Sequence, residues 1–325
     1  MRSATHATFG DPAEVITVTE TDTPVPQTGE VLVRTILSAI HNHDLWTVRG
    51  EYGVKPDLPA TGGTEAVGVI EAVGPEVDSA LVGKRVTVAG TMGTWADYFT
   101  APAASVLPLP DAVSDEDAAQ LVAMPFSAIS LLEFAKAKAG DWIVQTAANG
   151  AVGKIIDTLA KTRGIHVVNI VRRQAAAEEL RASGVQNVVS TDQTDWKEQA
   201  KSIIGEQGAQ IAIDSVGGST ANDLVDLLGW EGLLVTFGTA DGGDMILNSG
   251  QLIFKHITVK GFWGAKVSQH MAPETRKALI SELVTLAAQG KLPLDVEAIL
   301  DLSDAPAAMQ AAQTPGRKGK VLLRA

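Results

Sequence analysis

Cysteine is missing from all 325 positions. That excludes disulfides, thiolate zinc sites and a cysteine nucleophile, and it suits a cytoplasmic protein, the compartment expected here. Positive charge is in deficit: 26 Lys and Arg face 38 Asp and Glu, a net charge of −12. A nucleic-acid binder needs a basic face, so that class is excluded. No apolar run approaches the length of a membrane span. The opening stretch MRSATHATFGDPAEV has no apolar h-region, so no signal peptide is expected. Tyrosine occurs only twice. What remains is the composition of an ordinary globular protein, in a chain too long for one typical core, so two domains are expected.

The most informative stretch is WIVQTAANGAVGKIIDTLAKTRGIHVVNIVRR, residues 142–173. Trp142 to Thr146 is a short apolar run suited to a buried parallel strand. Ala148-Asn149-Gly150-Ala151-Val152-Gly153 fits G-x-G-x-x-G with alanine at the first glycine. Gly150 lets backbone approach a pyrophosphate, and Gly153 lets a helix pack on the sheet. The helix predicted from Ala151 puts Val152, Ile155, Ile156, Leu159 and Ala160 on one face. Its first N–H groups and positive dipole end form an anion site. His166 to Val171 is the next strand. The glycines alone would also suit a plain turn; the strand-turn-helix-strand frame makes the stretch a dinucleotide site. Where an acid would bind the ribose 2′-OH stand Arg172 and Arg173. Two cations there favour NADPH over NADH.

Residues 1–40 alternate apolar and polar with no helix period, and further strands are predicted at Val67 to Val73, Lys84 to Val88 and Trp95 to Phe99. This is a small twisted β-domain. The run Ala39 to Trp46 mixes polar and bulky apolar side chains, as a cleft lining would. Ser114 caps a helix with acids in its first turn, and Pro125 ends or kinks it. A second helix is expected to about Lys138. After Arg173, helices near Ala175 to Ser183, Asp195 to Ile204 and Ala221 to Leu228 alternate with strands near Asn187 to Val189, Ile211 to Asp214, Leu233 to Gly238 and Ile257 to Phe262. That alternation predicts a doubly wound parallel sheet. Pro273 to Gln289 is a further helix, and Lys320 to Arg324 is a strand expected to rejoin the first domain.

The order β-domain, dinucleotide domain, returning tail resembles the medium-chain dehydrogenase/reductase superfamily. Three stretches are similar to its zinc-free 2-enoyl thioester reductases: Arg49-Gly50-Glu51-Tyr52-Gly53 with Gly62-Gly63-Thr64-Glu65; the glycine turn with Asn169-Ile170-Val171-Arg172; and Leu252-Ile253-Phe254-Lys255 with Gly261-Phe262-Trp263. The resemblance implies an α/β fold with a GroES-like catalytic domain over 1–120 and 268–325 and a Rossmann domain over 121–267. It implies that Tyr52 is the proton donor. It implies NADPH contacts from the turn (Thr146, Asn149, Gly150, Ala151, Val152, Gly153), from Arg172 and Arg173, and from Phe237, Gly238, Phe262 and Trp263. The chain departs from that family at His41-Asn42-His43-Asp44, where it usually shows Asn-Pro-Ser-Asp. The same run is similar to the zinc-ligand loop of alcohol dehydrogenases, with His41 in place of cysteine and Thr64 in place of the second ligand, histidine. No metal is therefore expected.

Without the resemblance, Tyr52 reads as a loop tyrosine half packed on the β-domain. His41 and His43 stand at strand-like spacing and could share a face. At least one is expected to be a core or surface histidine, while His43 is the candidate pocket residue, as second donor or polarising group. Asp44 and Glu65 are expected to bond loop N–H groups and Asp214 to form a turn, with a role near the nicotinamide as its alternative. Phe262-Trp263 reads as an aromatic core pair or a wall of the cofactor site, the second being expected. The expected function is NADPH-dependent reduction of an activated C=C bond in a small unsaturated substrate, by a homodimer. The alternatives are an NADPH:quinone oxidoreductase, a zinc-type alcohol dehydrogenase relative acting on aldehydes or ketones, and a non-catalytic NADPH-binding module. The polar run His41 to Asp44 and Tyr52 speak against the last.

Overall fold

The computed structural model describes residues 1–325. The chain divides into two compact units, Met1–Met124 with Ile280–Ala325, and Pro125–Leu279. The second division falls inside the helix Pro273–Ala288.

The first unit is built on a ten-residue strand, Glu30–Ala39, whose buried residues Val31, Leu32 and Val33 lie in its core. One edge pairs antiparallel with Glu65–Val73. The other edge is shared end to end by Tyr98–Pro102 and the returning tail Lys320–Arg324. The tail reaches Leu37, Ser38 and Ala39 and adds Val296–Asp301 as a parallel neighbour. A separate three-stranded sheet joins Thr17–Glu20, Arg2–His6 and Ala60–Thr61. Trp95 is completely buried and donates from its indole N–H to the Ala39 carbonyl at 3.0 Å. A Cβ on Gly62 or Gly63 would come within 2.3 Å of that ring. The two glycines let the chain lie flat on Trp95, which sets where Thr64 and Glu65 emerge.

The second unit is a six-stranded parallel sheet in the order Val188–Ser190, His166–Val171, Trp142–Gln145, Ala209–Asp214, Leu228–Thr236, Thr258–Gly261. In chain order this is 3-2-1-4-5-6, the doubly wound pattern. The order reverses at the first strand, Trp142–Gln145, directly before the glycine turn. The helix Ala151–Thr162 follows with Val152, Ile155, Ile156, Leu159 and Ala160 buried, as its period predicts.

Four local expectations need correction. Pro12–Val15 is one helical turn inside the stretch read as β-rich with no helix period, started by Asp11, which accepts from the Ala13 N–H. The strand expected over Trp95 to Phe99 runs instead over Tyr98–Pro102, because Trp95 is spent on the core. The helix capped by Ser114 ends at Ala118, and Pro125 sits in the first turn of the next helix, Ala123–Phe134, where proline costs no hydrogen bond. The run after His41 is also helical, Asn42–Arg49, rather than extended. No helix is long and apolar enough to cross a membrane.

Candidate active site

In the first unit, the chain leaves Ala39 and turns into the helix Asn42–Arg49 with His41 as its N-cap. Asp44 fixes that start, its Oδ2 accepting the His41 backbone N–H at 2.8 Å. Gly50 ends the helix in the left-handed region at φ 76°, a conformation glycine adopts without strain. Tyr52 follows, its N–H bonded to the Trp46 carbonyl at 3.2 Å. The histidines do lie side by side, but through a helical turn: their rings stack 5.1 Å apart, 13° from parallel. The Tyr52 ring sits 5.8 Å from that of His43. Tyr52 and His43 are thus brought together, both partly exposed.

The two histidines have different environments. His41 is wholly buried, and its Nε2 meets Glu65 Oε2 at 2.8 Å. Glu65 Oε1 accepts the N–H groups of Val122 and Ala123 at the start of the helix Ala123–Phe134. Burial pushes the Glu65 carboxyl up to about 8 and the His41 imidazole well below its ordinary range. Both shifts favour a neutral hydrogen-bonded pair over an ion pair at neutral pH. Nearby, burial lowers the Lys320 ammonium to about 8, with Arg317 acting in the same direction and Asp44 and Glu65 against it. His43 instead bonds Thr64 Oγ1 through Nε2 at 2.7 Å, and the Thr64 hydroxyl donates to Asp44 Oδ1 at 2.6 Å.

The fold family can carry zinc here, but the donors do not fit it. His41 Nε2 is engaged by Glu65, Thr64 is a hydroxyl held between His43 and Asp44, and cysteine is lacking. No group of three or more His, Asp or Glu side chains is placed to share a cation.

In the second unit the turn after Gln145 opens with Ala147 at φ 51° and brings Gly150 to the N-cap of a twelve-residue helix. Gly150 has no capping side chain, so the first N–H groups stay open to an anion. A Cβ on Gly153 would lie 2.7 Å from Ala148 Cα and 2.8 Å from its carbonyl oxygen. Asn149 and Gly150 are exposed, Ala151 is half-buried, and Val152 and Gly153 are buried beneath them. Arg172 and Arg173 are exposed and make no ion pair. This arrangement fits a dinucleotide: open N–H groups for a pyrophosphate and two free cations for a further phosphate.

The other expected contacts divide. The buried Thr146 hydroxyl donates to Asp214 Oδ1 at 3.0 Å and accepts from the Ser215 N–H at 2.8 Å. Asp214 also accepts from Val216 and Gly217, a turn former as expected. Phe237 and Gly238 are half-buried just past the end of their strand. Phe262 is buried between Phe134 and Phe237, with ring centroids at 5.3 and 5.8 Å, whereas Trp263 is 40 % exposed. One aromatic is therefore core and the other available.

Several residues were not foreseen. Gln145 Nε2 donates to the Gly153 carbonyl and to Asn169 Oδ1, and Asn169 Nδ2 donates to Asp157 Oδ1. This buried chain ties the glycine turn to two strands and its helix. Polar residues inside apolar runs were its only trace in the sequence. Lys320, at the head of an apolar strand, gave no sign that it would be buried beside Asp44 and Glu65.

The fold and the two sites define an oxidoreductase built on a GroES-like domain and a Rossmann domain. Residues 27–111 match the model of the alcohol dehydrogenase GroES-like domain, and residues 151–284 match that of the zinc-binding dehydrogenases. A mitochondrial enoyl-[acyl-carrier-protein] reductase from Caenorhabditis elegans is 32% identical over 90% of this chain and 86% of its own. The human protein of the same name is 27% identical over 99% of this chain and 88% of its own. The structure of Escherichia coli quinone oxidoreductase complexed with NADPH superposes with a TM-score of 0.89 at 27% identity, covering 100% of both chains. The chain belongs to the medium-chain dehydrogenase/reductase superfamily, within the range of its enoyl reductases and quinone oxidoreductases, and is an oxidoreductase.

Proposed function

We propose that this protein reduces the C=C bond of a small α,β-unsaturated carbonyl compound with NADPH. The observation that carries the reading is the pairing of Tyr52 with His43, 5.8 Å between rings, on a site whose donors are unsuited to zinc. Bound NADPH supplies hydride to the β-carbon of the substrate. The open N-terminus at Gly150 to Gly153 would hold its pyrophosphate, and Arg172 and Arg173 its 2′-phosphate. Asn149, Trp263 and the ends of the strands at Thr146, Phe237 and Gly238 would shape the rest of the site. Phe262 would act from behind, by fixing Phe237. The chain's own chemical work is then at oxygen and the α-carbon. An O–H or N–H donor stabilises the enolate oxygen as charge develops, and a proton reaches the α-carbon from Tyr52. His43 assists that transfer.

The reading takes the protein to work in the cytoplasm, supported by the lack of cysteine, although the curated relatives named above are mitochondrial by name. A screen of NADPH oxidation over enoyl thioesters, enones, enals and quinones tests it. Turnover of enoyl thioesters or enones supports it. Quinone turnover alone would move the assignment to a quinone reductase, a reading favoured by the structural match to the Escherichia coli enzyme. Chelator treatment should leave the rate unchanged. A rate that vanishes on chelation and returns with zinc would overturn the assignment of the donor site.

A further inference from the structure

Thr64 has one hydroxyl hydrogen to give. Asp44 Oδ1, only 2.6 Å away, can only accept while ionised, so that hydrogen goes to Asp44. Thr64 Oγ1 then turns a lone pair to His43 Nε2 at 2.7 Å, and Nε2 must carry a hydrogen. Asp44 cannot swing away: its residue is 2 % exposed, and its Oδ2 is held by the His41 N–H at the helix start. Oδ1 also lies 3.4 Å from the same His43 nitrogen. The ring is therefore fixed as the Nε2–H tautomer. Nδ1, on the other side of the ring, makes no hydrogen bond within the protein, and the side chain keeps 22% of its exposure.

We propose that Thr64 and Asp44 are positioning residues that lock His43 with Nε2–H inward, so that Nδ1 alone exchanges protons with Tyr52 and solvent. This deepens the reductase reading and rests on it. Once hydride has reached the β-carbon, the Tyr52 O–H bond breaks and its proton forms the new C–H bond at the α-carbon, leaving a tyrosinate. The Nδ1–H of a His43 imidazolium then gives its proton to the tyrosinate. Water reloads Nδ1. The same nitrogen takes up and gives away the proton, so no change of tautomer or ring flip is needed in a cycle. The imidazolium charge is balanced throughout by Asp44, directly and through Thr64.

The test compares Thr64→Val, which keeps the shape and deletes the hydroxyl, with Thr64→Ser, which keeps the hydroxyl and deletes a methyl group. A loosened catalytic ring can cost on the order of 10²-fold in rate. The valine variant should lose kcat on that scale with KM and NADPH affinity nearly unchanged, and serine should restore most of it. Equal loss in both variants would mean that the methyl packing matters and not the hydrogen bond. Full activity of the valine variant would overturn the proposal outright. The ¹⁵N shifts of the His43 ring, assigned with His43→Gln, give a readout free of any substrate. Wild type should show the Nε2–H form when neutral, and Thr64→Val a mixture of tautomers. Wild-type protein in the Nδ1–H form would refute the proposal. The Nε2–H form in a protein that reduces no unsaturated carbonyl would leave the lock standing and the reductase reading refuted.

Discussion

Tyr52 is the residue on which the assignment turns. A phenol has a reference pKa near 10, so at neutral pH it can both donate to an enolate oxygen and give up its proton. Tyr52→Phe keeps the ring and its packing near His43 and deletes only the hydroxyl. General acids typically contribute 10²–10⁴-fold, so kcat should fall by at least about 10²-fold with NADPH binding little changed. If His43→Gln is the damaging change and Tyr52→Phe is harmless, His43 is the donor. Glu65 allows a different test at this scale. Its carboxyl titrates near 8 in the fold, well above its ordinary value of 4.5. Between those values Glu65 keeps a proton in the fold that the unfolded chain has lost, so its contribution to stability falls as pH rises. Below the ordinary His41 value of 6.5 this is opposed by His41, neutral in the fold but protonated in the unfolded chain, so the net fall lies between about 6.5 and 8. Glu65→Gln imitates the protonated form, and denaturant midpoints between pH 6.5 and 8 should lose most of their slope in this variant; an unchanged slope would show that Glu65 is ionised in the fold. Neither the pairing of Glu65 with His41 nor that of Thr64 with His43 was legible in the sequence. Each joins residues more than twenty positions apart, and only the seating of Gly62 and Gly63 on Trp95 brings them together.

At the scale of elements, legibility followed period and length. The helix Ala151–Thr162 and the parallel strands around it stand within a few residues of their expected places, because a 3.6-residue apolar stripe and short apolar runs are local signals. The helix Asn42–Arg49 was hidden. It is only eight residues long, begins with polar side chains, and is held by the Asp44 cap and by burial of Leu45 and Val48. Its helical form is what stacks His43 on His41 and lets Asp44 reach back to the N-cap. In the proposed function, the end of the strand His166–Val171 would carry the cofactor preference. Arg172 and Arg173 are exposed there with no carboxylate partner, so their charges are free for a 2′-phosphate. Charge-assisted bonds of this kind contribute on the order of 1.5–3 kcal/mol each, enough together for a preference of about 10²-fold. Kinetics with both cofactors on wild type and on Arg172→Ala/Arg173→Ala should show NADPH preferred by the first and the preference lost in the second. Equal use of NADH by wild type would remove the basis for choosing NADPH.

For the whole molecule, the last strand of the parallel sheet raises the question of assembly. Thr258–Gly261 has a neighbour on one side only, Leu228–Thr236, and three of its four residues are exposed. An open edge of this kind is a template for pairing with another chain. The helix Ser249–Phe254 leads into it and presents Ile253 and Phe254 to solvent at 64% and 80% exposure. Large apolar side chains left this bare beside an open edge mark an interaction surface. A second copy across a two-fold axis would cover both edges with one closed contact, whereas any other pairing leaves an edge open to grow. The protein should therefore be a homodimer, and light scattering at micromolar concentration should give twice the chain mass of 33.9 kDa. Burying a large apolar side chain contributes about 1.5–3 kcal/mol, so Ile253→Asp/Phe254→Asp should weaken the dimer by at least about 10²-fold. A wild-type monomer would refute the pairing. A dimer indifferent to the double substitution would place the interface on another face.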